Sequence, residues 1–393
     1  MTLSNLCSNC LIGEMTVFHQ VQNAPVHSVL LLKTREEALN YPQRNIELGY
    51  CQTCGFMSNQ CFEPDVHDYS AEYEATQAYS ATFNQFHQQL AERLTETYQL
   101  YHKRILEIGC GQGEFLKLLC EVGDNQGIGF DPAYRADDED ANPDPNLTFI
   151  ADFYSEKYAH YQSDFVCCKM TLEHIPNTSE FVGMVRRAVG DDPNTVVFFQ
   201  IPNMTRILKD VAFWDIYYEH CSYFTALALR YVFQLAGFEV MQISTAYNDQ
   251  YLMIEVRPSS HPPTLPENLG ESRTALADDV AYFTDQYNRT LERWRASLAE
   301  MKQKNERVVI WGSGSKGVAF LTALNIREQI QYTVDINPRK TGTYMAGTCQ
   351  EIVAPEFLQA YQPAVVIVMN PIYCDEVQAD LDRLGVKARL MTV

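Results

Sequence analysis

Residues 105–132 read ILEIGCGQGEFLKLLCEVGDNQGIGFDP, and the chain is best read outward from them. Ile105, Leu106 and Ile108 make a short apolar strand, and a turn carrying Gly109, Gly111 and Gly113 follows. Phe115, Leu116, Leu118 and Leu119 then recur at helical spacing. Glycines at alternate positions let the backbone pass close to a ligand with no Cβ in the way. The following helix presents N–H groups that have no intrahelical partner. Asp131 ends the second strand, where a carboxylate can accept from both hydroxyls of a ribose. Glu107 and Glu114 place negative charge around the turn, which suits a cationic ligand better than a pyrophosphate.

Alternating strands and helices continue on the C-terminal side. LTFIADFY ends a strand at Asp152 and Phe153, and DFVCCKMTLEHIPN runs from a strand ending at Lys169 into a loop and a helix. TVVFFQIPN is a buried strand, and FEVMQISTAY with YLMIEVRP forms an antiparallel hairpin. Periodicity alone establishes an α/β architecture. The glycine turn and the acidic strand end resemble motif I and the acidic motif of class I S-adenosylmethionine (SAM) methyltransferases. That resemblance implies a seven-stranded sheet closed by the hairpin. It also implies a SAM site built from Gly109, Gly111, Gly113, Asp131, Asp152, Phe153 and Lys169, with Asp152 and Phe153 beside the adenine.

The chain has 393 residues, enough for two or three domains. Thirty Lys and Arg stand against fifty Asp and Glu, a formal charge of −20, which argues against nucleic acid as the main partner. No signal peptide opens the chain, and no apolar run approaches the roughly 20 residues that span a bilayer. The expectation is a cytoplasmic protein with no membrane partner. Its twelve cysteines are not spaced as a secreted disulfide framework. Cys110, Cys120, Cys167 and Cys168 read as buried reduced thiols.

Three segments divide the chain. Residues 1–65 carry Cys7-Ser-Asn-Cys10 and Cys51-Gln-Thr-Cys54, two CxxC pairs suited to converge on one structural zinc. Gly13 and Gly55 ease the turns that aim N–H groups at the sulfurs, while His19, His27 and Cys61 read as bystanders. Residues 66–258 open with Tyr69, Tyr73 and Tyr79 and an amphipathic helix through Phe83, Phe86, Leu90 and Leu94, then contain the SAM-type pattern. Residues 259–393 follow a linker, RPSSHPPTLPENLG, and begin with a long helix over about 272–304. VVIWGSGSKGVAFL and Asp335 then match a dinucleotide fingerprint through Gly312, Gly314 and Gly317. The domain is short, and the preferred reading is a degenerate Rossmann-like fold that holds substrate or only packs.

WDIYYEHCSYFT, residues 214–225, concentrates Tyr217, Glu219, His220 and Tyr223. Histidine is suited to move protons near neutral pH, a neighbouring carboxylate can orient it, and a tyrosine hydroxyl can stabilise an oxyanion. LEHIPN supplies a second Glu–His pair, read as either structural or ligand-contacting. The order of zinc knuckles, SAM domain, YxEHxSYF segment and GSGSKG domain resembles the three-domain C-methyltransferases that act on nucleotide-linked keto-deoxysugars. The resemblance covers essentially the whole chain. It implies His220 as general base, Glu219 and Tyr217 as its neighbours, and Tyr79 or Tyr73 as a further active-site tyrosine. The terminal domain departs from the family after Asp335-Ile-Asn-Pro338: Tyr344–Glu351 lacks both prolines of the family's PG…P pattern, and Met369-Asn370-Pro371 replaces an aromatic-containing strand end. The methyl-transfer chemistry therefore carries over further than the substrate. O- or N-methylation of a small molecule, a zinc-containing binding module and an NAD-dependent enzyme are the alternative readings. Composition leaves the oligomeric state open.

Overall fold

A computed structural model describes residues 6–66, 73–135, 144–261 and 273–393. Tyr69, the linker from residue 262 onward and residue 272 lie outside the described residues. The first segment contributes β1 (Met15–Pro25), α1 (Arg35–Leu39), β2 (Gln43–Cys51) and β3 (Met57–Asn59). The middle one contributes α2 (Ala81–Tyr98), β4 (Arg104–Ile108), α3 (Glu114–Gly123), β5 (Gln126–Phe130), β6 (Leu147–Ile150), β7 (Phe165–Lys169) and α4 (Thr178–Val189). It continues with β8 (Val196–Pro202), α5 (Met204–Asp210), β9 (Ser222–Tyr223), α6 (Ala226–Leu235), β10 (Phe238–Ala246) and β11 (Tyr251–Pro258). The last holds α7 (Arg273–Gln303), β12 (Val308–Trp311), α8 (Ser315–Leu324), β13 (Tyr332–Val334), β14 (Glu351–Val353), α9 (Leu358–Tyr361), β15 (Val365–Val368), α10 (Cys374–Leu384) and β16 (Arg389–Thr392).

The central sheet has seven strands in the order β10-β11-β8-β7-β4-β5-β6. β4 to β8 pair in parallel, and β11 inserts antiparallel between β8 and β10. This is the class I SAM methyltransferase sheet. Its inner strands are buried and largely apolar because helices cover both faces: every residue of β7 is buried, and so is β8 up to Pro202. α2 and α3 pack on one face through Leu90, Leu94, Leu116 and Leu119, while α4 and α6 cover the other through Val182, Val185, Val232 and Phe233.

The terminal sheet, β14-β13-β12-β15-β16, is parallel throughout and has its own core. α7 buries Leu276, Val280, Phe283, Leu291, Leu298 and Met301. Those side chains join the terminal sheet to Ile46 and Leu48 of β2 and to α5 in one continuous core. Among the described residues no helix is long and apolar enough to cross a membrane.

The N-terminal sheet is completed from a distant part of the chain. β9 pairs with β3, with Met57 opposite Tyr223 and Ser58 opposite Ser222, and the Asn59 N–H donates to the Cys221 carbonyl at 2.9 Å. The YxEHxSYF segment, which carries no strand signal of its own, thus becomes an edge strand of the first segment's sheet. In open α/β sheets ligands bind beyond the carboxyl ends of the strands. Here the carboxyl ends of β4, β5, β7 and β8 and those of β12, β13 and β15 open onto a single cavity of about 670 Å³.

Candidate active site

One end of the cavity is the turn after β4. Gly109 and Gly111 have φ of +69° and +57°, a region L side chains rarely enter. A Cβ on Gly109 would lie 1.9 Å from Thr171 Oγ1, and one on Gly113 would lie 2.3 Å from the Phe149 ring. A Cβ on Gly111 would meet only Glu114 Oε2, at 3.9 Å, so the chain leaves the space over this peptide open. Asp131 fixes the turn by accepting the Gly111 N–H at 2.9 Å and the Ala133 N–H at 2.8 Å.

Glu107 is buried beneath the turn, its Oε2 has no hydrogen-bond partner among the described residues, and burial raises its pKa to about 8. Lys169 lies with Nζ 3.5 Å from the centre of the Phe115 ring and 2.9 Å from His87 Nε2, and burial lowers its pKa to about 8. At the outer rim, Asp152 accepts from the Phe153 N–H and the Tyr158 hydroxyl, while Phe153 is 62% exposed and lines the cavity. The open peptide at Gly111, the orphaned carboxylate of Glu107 and the Asp131 strand end fit a cationic nucleoside such as SAM.

His220 lies deeper in the cavity and is 4% exposed. Burial, then the proximity of His174 and Lys316, holds its pKa well below the ordinary histidine range, so the ring is neutral and has a lone pair available to accept a proton. The Tyr217 ring lies 4.1 Å from the imidazole between centroids, the His174 ring 4.9 Å away and the Tyr223 ring 6.1 Å away. Burial pushes the Tyr217 hydroxyl well above its usual pKa, which keeps it protonated as a donor.

Glu219 does not orient His220, contrary to the expectation from adjacency. Its Oε2 accepts the Ser28 N–H at 3.0 Å and the Ser28 hydroxyl, and Tyr73 is a further hydrogen-bonding neighbour. The physical reason is a turn: the His220 N–H closes onto the Tyr217 carbonyl at 3.2 Å, and the turn sends Glu219 toward the first segment while His220 faces Glu173. The carboxylate beside the imidazole is Glu173 of LEHIPN, with Oε1 4.0 Å from His220 Nε2. Tyr79 is 47% exposed at the cavity rim, whereas Tyr73 is the tyrosine that reaches Glu219.

The terminal domain brings residues that sequence reading missed. Lys316, in the first turn of α8, pairs with Asp215, which also binds Arg206 Nη1 at 2.9 Å. Ser315 Oγ is 2.7 Å from Ser28 Oγ, so the three segments meet beside Glu219. Gln250 and Asn370 exchange amide hydrogen bonds of 3.0 and 2.9 Å between the two larger domains. The lysine in GSGSKG was the available signal for Lys316; nothing local flagged Ser28 or Arg206. Asp335, the ribose-type carboxylate of this domain, is engaged by Ser313, the Asn337 N–H and Lys340.

Away from the cavity, Cys7, Cys10, Cys51 and Cys54 are buried with all four sulfurs within 4.8 Å of one another. Cys7–Cys54 and Cys10–Cys51 Sγ distances are 3.6 and 3.7 Å. Tetrahedral coordination with Zn–S bonds of about 2.3 Å places sulfurs about 3.8 Å apart, so the four cysteines fit such an ion. The Gly13 N–H donates to Cys10 Sγ at 3.3 Å, and a Cβ there would sit 2.5 Å from Cys51 Sγ. Of the bystanders, His19 packs against Phe283 and Tyr287, His27 bonds the Tyr41 hydroxyl at 2.8 Å, and Cys61 is exposed.

Comparison with known proteins agrees with this geometry. Residues 74–243 match the family described as a methyltransferase domain, and residues 268–388 match the C-methyltransferase C-terminal domain. The C-methyltransferase NovU of Streptomyces niveus is 25% identical over 350 residues, covering 84% of this chain and 81% of that protein. Among solved structures, N,N-8-amino-8-demethyl-D-riboflavin dimethyltransferase from Streptomyces davawensis is 20% identical, covering 45% of this chain and 55% of that one, with a TM-score of 0.37. Magnesium protoporphyrin IX methyltransferase from Synechocystis PCC 6803 is 14% identical, covering 47% and 89%, also with a TM-score of 0.37. With a methyltransferase domain and a C-methyltransferase terminal domain matched in succession, both opening on one cavity, this chain is a SAM-dependent methyltransferase similar to the three-domain C-methyltransferases.

Proposed function

We propose that this enzyme methylates a carbon next to the ketone of a nucleotide-linked keto-sugar, with His220 as general base. The observation that carries the reading is a buried, neutral imidazole whose Nδ1 has no partner among the described residues, in the same cavity as the glycine turn. A carbon is not nucleophilic until it loses a proton, and a neighbouring ketone makes that proton acidic enough for an imidazole to take. Tyr217, a protonated donor against the imidazole, would stabilise the resulting enolate oxygen. Gly109, Gly111, Gly113 and Asp131 would hold SAM, with Glu107 and Lys169 beneath it and Asp152 and Phe153 at its adenine end. When bound, SAM supplies the methyl group as an electrophile to the deprotonated carbon.

Arg206 and Lys316, which share Asp215, and Lys340, which pairs with Asp335, line the cavity and are the cations that would meet the diphosphate of such an acceptor. The four cysteines would hold one zinc with no open position, so its contribution is to folding. Through β3 and β9 the N-terminal sheet would support the segment that carries His220.

Turnover with SAM and dTDP-4-keto-6-deoxyglucose tests the assignment. His220→Ala should abolish methylation and also the solvent deuterium exchange at the sugar's α-carbon in the presence of S-adenosylhomocysteine. A folded His220→Ala protein that still binds S-adenosylhomocysteine and works at the wild-type rate refutes it.

A further inference from the structure

Glu173 is a buried carboxyl with no role in the mechanism above. It is 1% exposed, and neither oxygen has a hydrogen-bond partner among the described residues. Unpaired buried carboxyl groups are costly and rare in native proteins. The His220 ring lies beside it, 4.0 Å from Oε1 to Nε2. The turn that carries it, residues 172–174, is tied to the segment that carries His220: Cys221 Sγ donates to the Glu173 carbonyl at 3.6 Å, and Ser222 Oγ donates to the Ile175 carbonyl at 2.7 Å. The two side chains are therefore held in fixed register by their own backbones. Glu219 is committed to Ser28, which leaves Glu173 as the carboxylate for the imidazole.

We infer that Glu173 is the positioning residue for His220, accepting from Nε2–H so that the substrate proton is taken at Nδ1. The inference rests on His220 being the base. A separation of 4.0 Å is longer than a hydrogen bond, and such contacts are commonly long in substrate-free enzymes and tighten on binding. Nδ1, the other ring nitrogen, has no partner among the described residues. In the step itself the α-C–H bond breaks, its proton goes to Nδ1, and its electron pair stays on the substrate as the enolate. Nε2–H is retained throughout, and the new imidazolium charge lies against the Glu173 carboxylate.

The other titratable groups around the ring do not supply that counter-charge. His174 and Lys316 disfavour a positive imidazole, Tyr217, Tyr223, Cys168 and Cys221 are held protonated by burial, and Asp215 is paired with Lys316 and Arg206. Burial also raises the Glu173 pKa to about 8. Below that pH the protonated carboxyl can donate to Nε2 and hold the opposite tautomer, so kcat should climb as pH rises through about 8.

Two arms test this. By 15N NMR of histidine-labelled protein at pH 9, His220 should be protonated at Nε2, and Glu173→Leu should shift that resonance; an Nδ1–H tautomer overturns the inference. In turnover with dTDP-4-keto-6-deoxyglucose, Glu173→Gln should lower kcat by on the order of 10²- to 10⁴-fold, leave KM nearly unchanged and erase the rise near pH 8. A wild-type kcat and an intact rise in that variant overturn the inference while leaving the base in place. Undiminished α-carbon exchange in His220→Asn removes the base, and the inference with it. The wild-type NMR arm needs neither a substrate nor a folded variant, so it decides by itself if either fails.

Discussion

Replacing Gly111 or Gly109 by alanine separates ligand approach from folding, because the two glycines share a backbone conformation and differ in what surrounds them. Both have φ in the left-handed region, where an L side chain costs roughly 1–2 kcal/mol. At Gly111 the added methyl meets nothing nearer than 3.9 Å, so that strain is the whole folding cost. For a domain of this size about 2–4 °C is lost per kcal/mol, which gives a fall of about 2–8 °C. At Gly109 the methyl would lie 1.9 Å from Thr171 Oγ1. Overpacking of that kind adds about 1–3 kcal/mol, for a total fall of about 4–20 °C. In the proposed binding mode, the Gly111 methyl would occupy the space of the donor. Forcing the donor back by the same 1–3 kcal/mol weakens S-adenosylhomocysteine roughly 5- to 150-fold. Calorimetric titration with S-adenosylhomocysteine and thermal melts of both variants read the two effects. A Gly111→Ala protein that melts as expected yet binds within twofold of wild type would show that no ligand passes over this peptide.

Two further predictions concern the metal and pH. Purified protein should contain about one zinc per chain, and Cys51→Ser should lose both the metal and much of the stability, since binding energy at a closed thiolate site is folding energy; wild-type protein that melts unchanged after zinc is removed contradicts this. Burial holds Glu107 and Glu173 at pKa values of about 8 and Glu219 at about 7, against an ordinary 4.5. The native state then keeps carboxyl protons that the unfolded chain releases, while buried His19, His87, His174 and His220 stay neutral where unfolded histidines are charged; the two sets oppose each other up to about pH 6.5, and above it the carboxyls act alone, so the melting temperature should fall from about pH 6.5 to about pH 8. Melts of the ligand-free protein across that range check it, and a flat or rising trend contradicts the burial of these groups.

The parts legible in the sequence are those whose chemistry is local. A glycine turn between an apolar strand and an amphipathic helix needs its residue types within a dozen positions, and Asp131 follows at the next strand end. The two CxxC pairs announce themselves because each half-site is four residues long. The YxEH segment stands out by the density of its side chains. Glu219 was misread because adjacency to His220 was taken for contact, whereas the turn over residues 217–220 sends the two side chains to different partners. Its partner Ser28 is 191 residues away, a pairing that no local pattern encodes.

The amino-acid order alone specified the α/β class, the glycine turn after β4, the cysteine half-sites and the side-chain-dense segment around His220, because each depends on backbone preference or side-chain chemistry over short spans. Only three-dimensional packing determined that β9 completes the N-terminal sheet, that Glu173 rather than Glu219 stands beside His220, and that Lys316 enters the same cavity from the terminal domain. Those outcomes depend on which buried surfaces and strand edges satisfy one another across long separations in the chain.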